Sequence, residues 1–372
     1  MSDNSLIPNR SVGLHVGDLV EVRSEAEVLS TLDDHARLES LPFMPEMLKF
    51  CGQRFRIFKR VDKACDTIVK DGIRRMENTV ILQGLRCDGE AHAGCQAACM
   101  ILWKEKWLKL IQKGSSDKSN LSQIETPATV PPTCRATVRD IAPASTRNRI
   151  YESVYASGAP AIHGEEIYSC QATEMRKATF PMKWWDPRQY WRDLRSGNVG
   201  IWPLLRSFGI WLFNVIQHYR KGGKYPFIEG KLTKTPHLEL HLQPGELVQL
   251  LPKSEILKTL DKRNRNRGLS FDKELVKYCG GVYRVFRRVD KIVDEANGKI
   301  LRLSNPCIVL EGVTCTGDYN RYCPRNIFHY VREIWLKRVE DSSRLEANPS
   351  PCDLDAMTPA ACGESPRSAE VH

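Results

Sequence analysis

KFCGQRFRIFKRVDK, residues 49–63, returns as KYCGGVYRVFRRVDK, residues 277–291. In both, a cysteine and a glycine precede a run in which aromatic and branched side chains interleave with basic ones. The glycine marks a stop, because it readily takes the left-handed backbone that ends a helix. The run after it has the composition of a strand. Outward from this stretch, at a constant offset of 228, Gly17–Lys109 matches Gly245–Lys337 without a gap, with 32 identities in 93 positions. GDLVEV pairs with GELVQL, EVLSTLD with EILKTLD, VILQGLRC with IVLEGVTC, and KWLK with IWLK. The chain carries one unit twice.

Each copy opens on a short alternating strand. A helix follows, marked in the first copy by Ser24 and Glu27, a capping box that turns Leu29 and Leu32 inward. A second helix is predicted from Pro45 to the stop at Gly52. The strand Phe55–Val61 should pair with Val80–Leu82, and in the second copy Asn297-Gly298 signals the matching hairpin, with Asn305-Pro306 interrupting the strand after it. Closing helices are predicted over Gln96–Ile111 and Pro324–Val339, with Trp107 and Trp335 on the buried side. The predicted fold class is α+β: two homologous small modules, each a short-stranded sheet or SH3-like barrel plus helices, flanking a tryptophan-rich central region.

Composition shifts set the boundaries. Residues 1–16 read as an N-terminal extension, 17–112 as the first copy, and 113–133, rich in Ser, Thr and Pro, as a flexible linker. Residues 134–244 form the central region, 245–340 the second copy, and 341–372 a disordered acidic tail. The centre holds five of the eight tryptophans: Trp184, Trp185, Trp191, Trp202 and Trp211. Asp186 as N-cap, Pro187 in the first turn and Gly197 past the end delimit one helix there. The apolar run Ile201–Ile216, broken by Pro203, Arg206 and Gly209, reads as a buried helix ahead of an interfacial one.

At 372 residues, 41% hydrophobic and 27% charged, the composition is that of an ordinary soluble protein with two or three domains. The net charge of +10 is uneven, since residues 341–372 hold six acids and two bases, and the excess elsewhere admits an anionic ligand or a protein partner. Met1–Arg10 has no secretory pattern and no apolar run is long enough to span a bilayer, so no transmembrane segment and a cytoplasmic location are expected. The 13 cysteines are then expected as thiols or metal ligands.

Three cysteine pairs match across the duplication: Cys51 with Cys279, Cys87 with Cys315, and Cys95 with Cys323. These six are the candidate metal ligands, with zinc as the candidate ion. A fourth ligand is available from Cys65, His92 or Cys99 in the first copy and from Cys307 or His329 in the second. Packing as small hydrophobes and a redox or nucleophilic role are the competing readings. Cys95 and Cys323 fall where a closing helix should begin, a position that favours thiolate. His237, Glu239 and His241 would share one face of a strand in PHLELHLQPG, able to hold a metal or shuttle protons, or simply solvated. The same alternatives apply to His163, Glu165, Glu166 and Cys170. Arg56, Lys59, Arg60 and Lys63, echoed by Arg284, Arg287, Arg288 and Lys291, could track phosphates beside Phe55, Phe58, Tyr283 and Phe286, or could belong to an ordinary sheet.

PFMPEMLKFCG, WWDPRQYWRDLRSGNV, LEGVTCTGDYNRYCPR and VREIWLKRV resemble a bacterial family of cysteine-containing repeat modules without an assigned activity, over residues 17–112 and 150–340. The resemblance implies a cysteine array around Cys87 and Cys95, fuller in the first copy because Cys99 has no match in the second. The reading that results is a cytoplasmic binding or accessory protein with zinc at its cysteine clusters. The alternative is a biosynthetic enzyme with its site between the copies and Cys95, Cys323, His237, Glu239 and His241 as suspects. Nucleic-acid binding ranks third.

Overall fold

The computed structural model describes residues 13–69, 72–114, 144–156, 165–183 and 185–339. Most of the N-terminal extension, the linker beyond Gly114, the tail, His163 and Trp184 lie outside them. Helix and sheet are mixed in an α+β arrangement.

The first copy builds its main sheet from β1 (Leu19–Val22), β2 (Arg54–Arg60), β3 (Thr79–Arg86), β4 (Met100–Lys104) and β5 (Leu108–Gln112), in the order β4-β3-β2-β1-β5. The second uses β6 (Leu247–Leu250), β7 (Val282–Val293), β8 (Ile300–Thr314), β9 (Phe328–Val331) and β10 (Leu336–Arg338), in the order β9-β8-β7-β6-β10. All these pairings are antiparallel, and β2 meets β3 with Ile57 opposite Leu82 and Arg60 opposite Val80, the partner read from sequence. Among the described residues five α-helices accompany the sheets: α1 (Glu25–Leu29), α2 (Ala144–Glu152), α3 (Arg188–Ser196), α4 (Ile201–Tyr219) and α5 (Lys253–Leu257). At α1 the capping box forms: Ser24 N–H donates to Glu27 at 3.0 Å and Glu27 N–H donates back to Ser24 Oγ at 3.4 Å. Pro45–Phe50 is a single 3-10 helix, and Gly52 beyond it takes a φ of +76°.

Where closing helices were predicted, the chain instead runs strand, 3-10 turn, strand. β4 leads through Glu105–Trp107 into β5, and β9 through Glu333–Trp335 into β10. The reason is burial on both faces. All five residues of β4 are buried, and a continuous apolar run loses the alternation that identifies a strand. Trp107 and Trp335 are core residues as expected, each with an equivalent setting. Trp107 donates its indole N–H to Thr31 at 3.1 Å and meets Phe43 edge-on, and Trp335 does the same with Thr259 at 2.9 Å and Phe271. The hairpin turns at Asn297-Gly298, but β8 continues through Asn305-Pro306. The interruption is a bulge, with Val289 opposite Cys307 and Lys291 opposite Arg302.

Contacts between the copies are reciprocal. Cys65 N–H donates to Cys323 Sγ at 3.1 Å, and Val293, the position matching Cys65, donates to Cys95 Sγ at 3.2 Å. Thr67 hydrogen-bonds Glu295, its own counterpart at the offset of 228. Gln96 side-chain oxygen accepts the N–H groups of Asp290 and Lys291 at 2.8 and 3.0 Å. Arg86 reaches Asn326 Oδ1 at 2.8 Å and lies over the Phe328 ring.

The central region seals the first copy. Gln171 imitates a strand by accepting Leu102 N–H at 2.8 Å and donating to Leu102 O at 2.9 Å, and Asn198 does likewise with Arg60 at 2.8 and 2.7 Å. Such plugs remove exposed sheet edges. Asp193 on α3 forms a buried ion pair with Lys63 at 2.5 Å. α3 begins one residue later than read from sequence: Pro187 is the N-cap, with Asp186 before it accepting Arg188 N–H at 3.0 Å, while Gly197 at φ +80° ends the helix as expected. α4 departs from expectation: none of its residues is buried.

Trp335→Ala is expected to cost about 3–5 kcal/mol, and Thr259→Val, which leaves the indole N–H unpaired, about 1–3 kcal/mol. Denaturant midpoints at unchanged slope would show both losses. A cost under about 1 kcal/mol for Trp335→Ala would contradict its place in the core.

Candidate metal centre

Glu46 rides on the 3-10 helix that Pro45 begins, Cys87 follows directly on β3, and His92 sits in the loop that leads to β4. The loop is closed at its base, where Cys87 N–H donates to Cys99 O at 2.8 Å, and wound tightly inside. Gly89 holds φ +82°, and a Cβ there would stand 2.0 Å from Cys95 O, so glycine is required. His92 N–H then donates to Gly89 O and Cys95 N–H to His92 O. Among the described residues, Glu46, Cys87 and His92 form the one group of three or more potential ligands, one atom from each lying within 4.8 Å of the others. Cys87 Sγ is 3.4 Å from His92 Nε2.

The group is buried and incompletely satisfied. His92 is 2% exposed and Glu46 8%. Glu46 Oε2 and His92 Nδ1 are both enclosed without a hydrogen-bond partner. Burial pushes the Glu46 carboxyl above its ordinary range, raises the Cys87 thiol, and lowers the His92 imidazole. All three shifts favour the neutral forms. A divalent cation would reverse the first two by replacing the protons on carboxylate and thiolate.

The matching place in the second copy uses the same parts differently. Glu274 corresponds to Glu46, Cys315 to Cys87 and Asn320 to His92. There the carboxylate is filled by its own loop, accepting N–H groups from Thr316 at 2.6 Å, Gly317 at 3.3 Å and Tyr319 at 3.4 Å. His329 Nε2 stands 4.0 Å from it.

The other candidate cysteines are dispersed. Cys51 ends the 3-10 helix, its N–H donating to Leu48 O, and burial pushes its thiol up to about 12. Cys279 donates to Leu275 O at 3.5 Å, with its thiol raised by burial to about 11. Cys315 is raised by burial to about 12. Cys95 and Cys323 lie in loops, where no helix begins, so the helix-terminus argument for thiolate fails. Their sulfurs are instead acceptors for the opposite copy. Burial opposes ionisation of Cys323, but hydrogen bonds from Cys65 and the Arg325 backbone, with the Arg325 charge, bring it below the ordinary thiol value. Cys307 sulfur accepts from Arg332 at 3.4 Å.

His237, Glu239 and His241 do converge, with Glu239 3.4 Å from His237 Nε2 and 4.0 Å from His241 Nε2. All three are exposed and none lies in a strand; His241 has a φ of +51°, which breaks the predicted alternation. Glu165 pairs with Lys299 and Glu166 with Tyr168, and Cys170 is buried apart from them. Much of the basic strand is internally engaged. Arg60 pairs with Glu105 and Arg288 with the matching Glu333, while Arg56 and Arg284 bond the carbonyls of Gly17 and Gly245. Comparison of the chain with family models, with curated proteins and with solved structures returned no match.

A carboxyl raised in the folded chain keeps its proton after the unfolded chain has lost its own. The metal-free fold should therefore lose stability as pH climbs from the ordinary value of 4.5 until the folded value is passed. Glu46→Gln removes that loss. In the presence of a chelator it should raise the melting temperature at neutral pH and flatten the pH dependence; an unchanged slope would show that Glu46 does not titrate in this way.

Proposed function

We propose that the protein is a binding or accessory protein built on two SH3-like barrels, in which the first copy holds a zinc-class divalent ion through Glu46, Cys87 and His92. The observation that carries the reading is the contrast between the copies. Glu274 spends its carboxylate on backbone N–H groups, whereas Glu46 keeps an enclosed oxygen unpaired next to a thiol and an imidazole. An orphaned buried acceptor is costly, and a cation is one of the few things that offsets that cost. Carboxylate, thiolate and imidazole together are a donor set that zinc accepts in tetrahedral geometry. Cys99 and Cys170 both have charges that act on Cys87, but neither belongs to the cluster, so the remaining position falls to a solvent oxygen or to one of these thiols after a shift.

The barrel reading is supported by strand order. In each copy the fifth strand pairs with the first, followed by second, third and fourth, and a 3-10 turn joins the fourth to the fifth. This is the arrangement of SH3-like barrels, and the reciprocal contacts pair the two about an approximate two-fold axis. Such barrels present loops and grooves to ligands and carry no chemistry of their own.

Elemental analysis of the untagged full chain, freshly purified and reduced, should find about one zinc-class ion per molecule. Cys87→Ser and His92→Ala should remove it, while Cys95→Ser and Cys315→Ser should leave it in place. Metal-free protein, or metal retained when both Cys87 and His92 are replaced, would refute the site.

A further inference from the structure

α4 is folded inside out. Ile201, Leu205, Phe208, Leu212, Ile216 and Tyr219 recur at helical spacing on one face, and that face points away from the protein. Leu205 is 55% exposed, Phe208 60% and Tyr219 80%. The opposite, more polar face makes the attachments. Ser207 bonds Tyr322, whose hydroxyl also reaches Pro203 O, while Asn214 accepts Tyr225 N–H at 2.7 Å and donates to Tyr225 O at 3.1 Å. The helix is therefore held in position with its apolar stripe outward. Trp202 and Trp211 flank the stripe, with Trp202 78% exposed. Scattered exposed hydrophobics are ordinary, but a contiguous stripe of this length marks an interaction surface.

We infer that this surface docks onto an anionic lipid bilayer, with α4 lying in the interface. Charge selects the partner. From Asp186 to Tyr225 there are seven basic residues, Arg188, Arg192, Arg195, Arg206, Arg220, Lys221 and Lys224, against two acids, Asp186, which pairs with Arg188 at 3.0 Å, and Asp193. Asp193 is buried and committed to Lys63, so it neutralises nothing outside. Arg220, Lys221 and Lys224 are exposed at the C-terminal end of the stripe, and Arg206 is exposed on the flank that faces Tyr319 and Tyr322. A second copy docking through the same face would set two strongly basic surfaces against each other, whereas a negatively charged leaflet complements them. Exposed tryptophan and tyrosine are the side chains that settle at the level of lipid headgroups. No described helix is long and apolar enough to cross a membrane, and Pro203, Arg206, Gly209 and Asn214 interrupt this one, so the helix lies on the surface.

The full chain should be sedimented with vesicles of equal parts phosphatidylglycerol and phosphatidylcholine, and with vesicles of phosphatidylcholine alone. Binding is expected to the first only, to weaken as salt rises, and to shift tryptophan emission to shorter wavelength as Trp202 and Trp211 leave water. The double change Trp202→Glu and Phe208→Glu, and separately Arg220→Glu with Lys221→Glu, should each weaken binding by about tenfold or more. All four positions are exposed, and an unaltered circular dichroism spectrum would show that the variants fold. No binding to either vesicle, equal binding to both, or wild-type binding by the first variant would overturn the inference. So would a concentration-dependent dimer that Trp202→Glu with Phe208→Glu abolishes, which would identify a second copy as the occupant.

Discussion

The hydrogen bonds from Val293 to Cys95 and from Cys65 to Cys323 fix how the two repeats meet. Each is a backbone N–H at the end of one copy's hairpin, aimed at a sulfur in the other copy's loop, and both are buried. A backbone donor enclosed at an interface needs an acceptor, and the loop that supplies it must hold its shape. The tight turns at Gly89 and Gly317 give that shape, since a side chain at either would collide with the backbone of Cys95 or of Tyr322 and Cys323. The same loop carries Cys87 and His92 in the first copy. Contact between the copies and the candidate metal centre are thus built on one segment, and whatever orders the loop from within also orders the interface outside it.

The two copies have kept this frame and diverged in its filling. Asp88, where the second copy has Thr316, turns its carboxylate to Lys49 and to Glu90 N–H. Glu46 does not receive the loop N–H groups that Glu274 accepts from Thr316, Gly317 and Tyr319. A buried carboxyl with an open oxygen is a liability in a bare protein and an asset beside a cation. The duplication leaves one loop that fills its own carboxylate and one that does not, and under the proposed function the second is the loop that holds the ion.

Much of the frame could be read from the residues. The constant offset revealed the repeat, the capping box at Ser24 and the stop at Gly52 placed α1 and the 3-10 helix, and Asn297-Gly298 placed the second hairpin. The closing segments were misread because Met100–Lys104 is buried on both faces, so its apolar run had no alternation to distinguish it from a helix. α4 has the hydrophobicity of a buried helix, and only the contacts of Ser207 and Asn214 show that its polar side is the attached one. Glu46 and Glu274 match at the offset of 228, but a lone carboxylate far in sequence from Cys87 and His92 has no ligand spacing that would single it out.

X-ray absorption spectroscopy of the zinc-loaded full chain addresses the centre most directly, because it counts sulfur ligands without disturbing the fold. Coordination by Cys87 with a solvent oxygen, Cys99 or Cys170 completing the set predicts one or at most two sulfurs at about 2.3 Å, together with nitrogen and oxygen at about 2.0–2.2 Å. A shell of three or four sulfurs, or a shell with none, would contradict a site made by Glu46, Cys87 and His92.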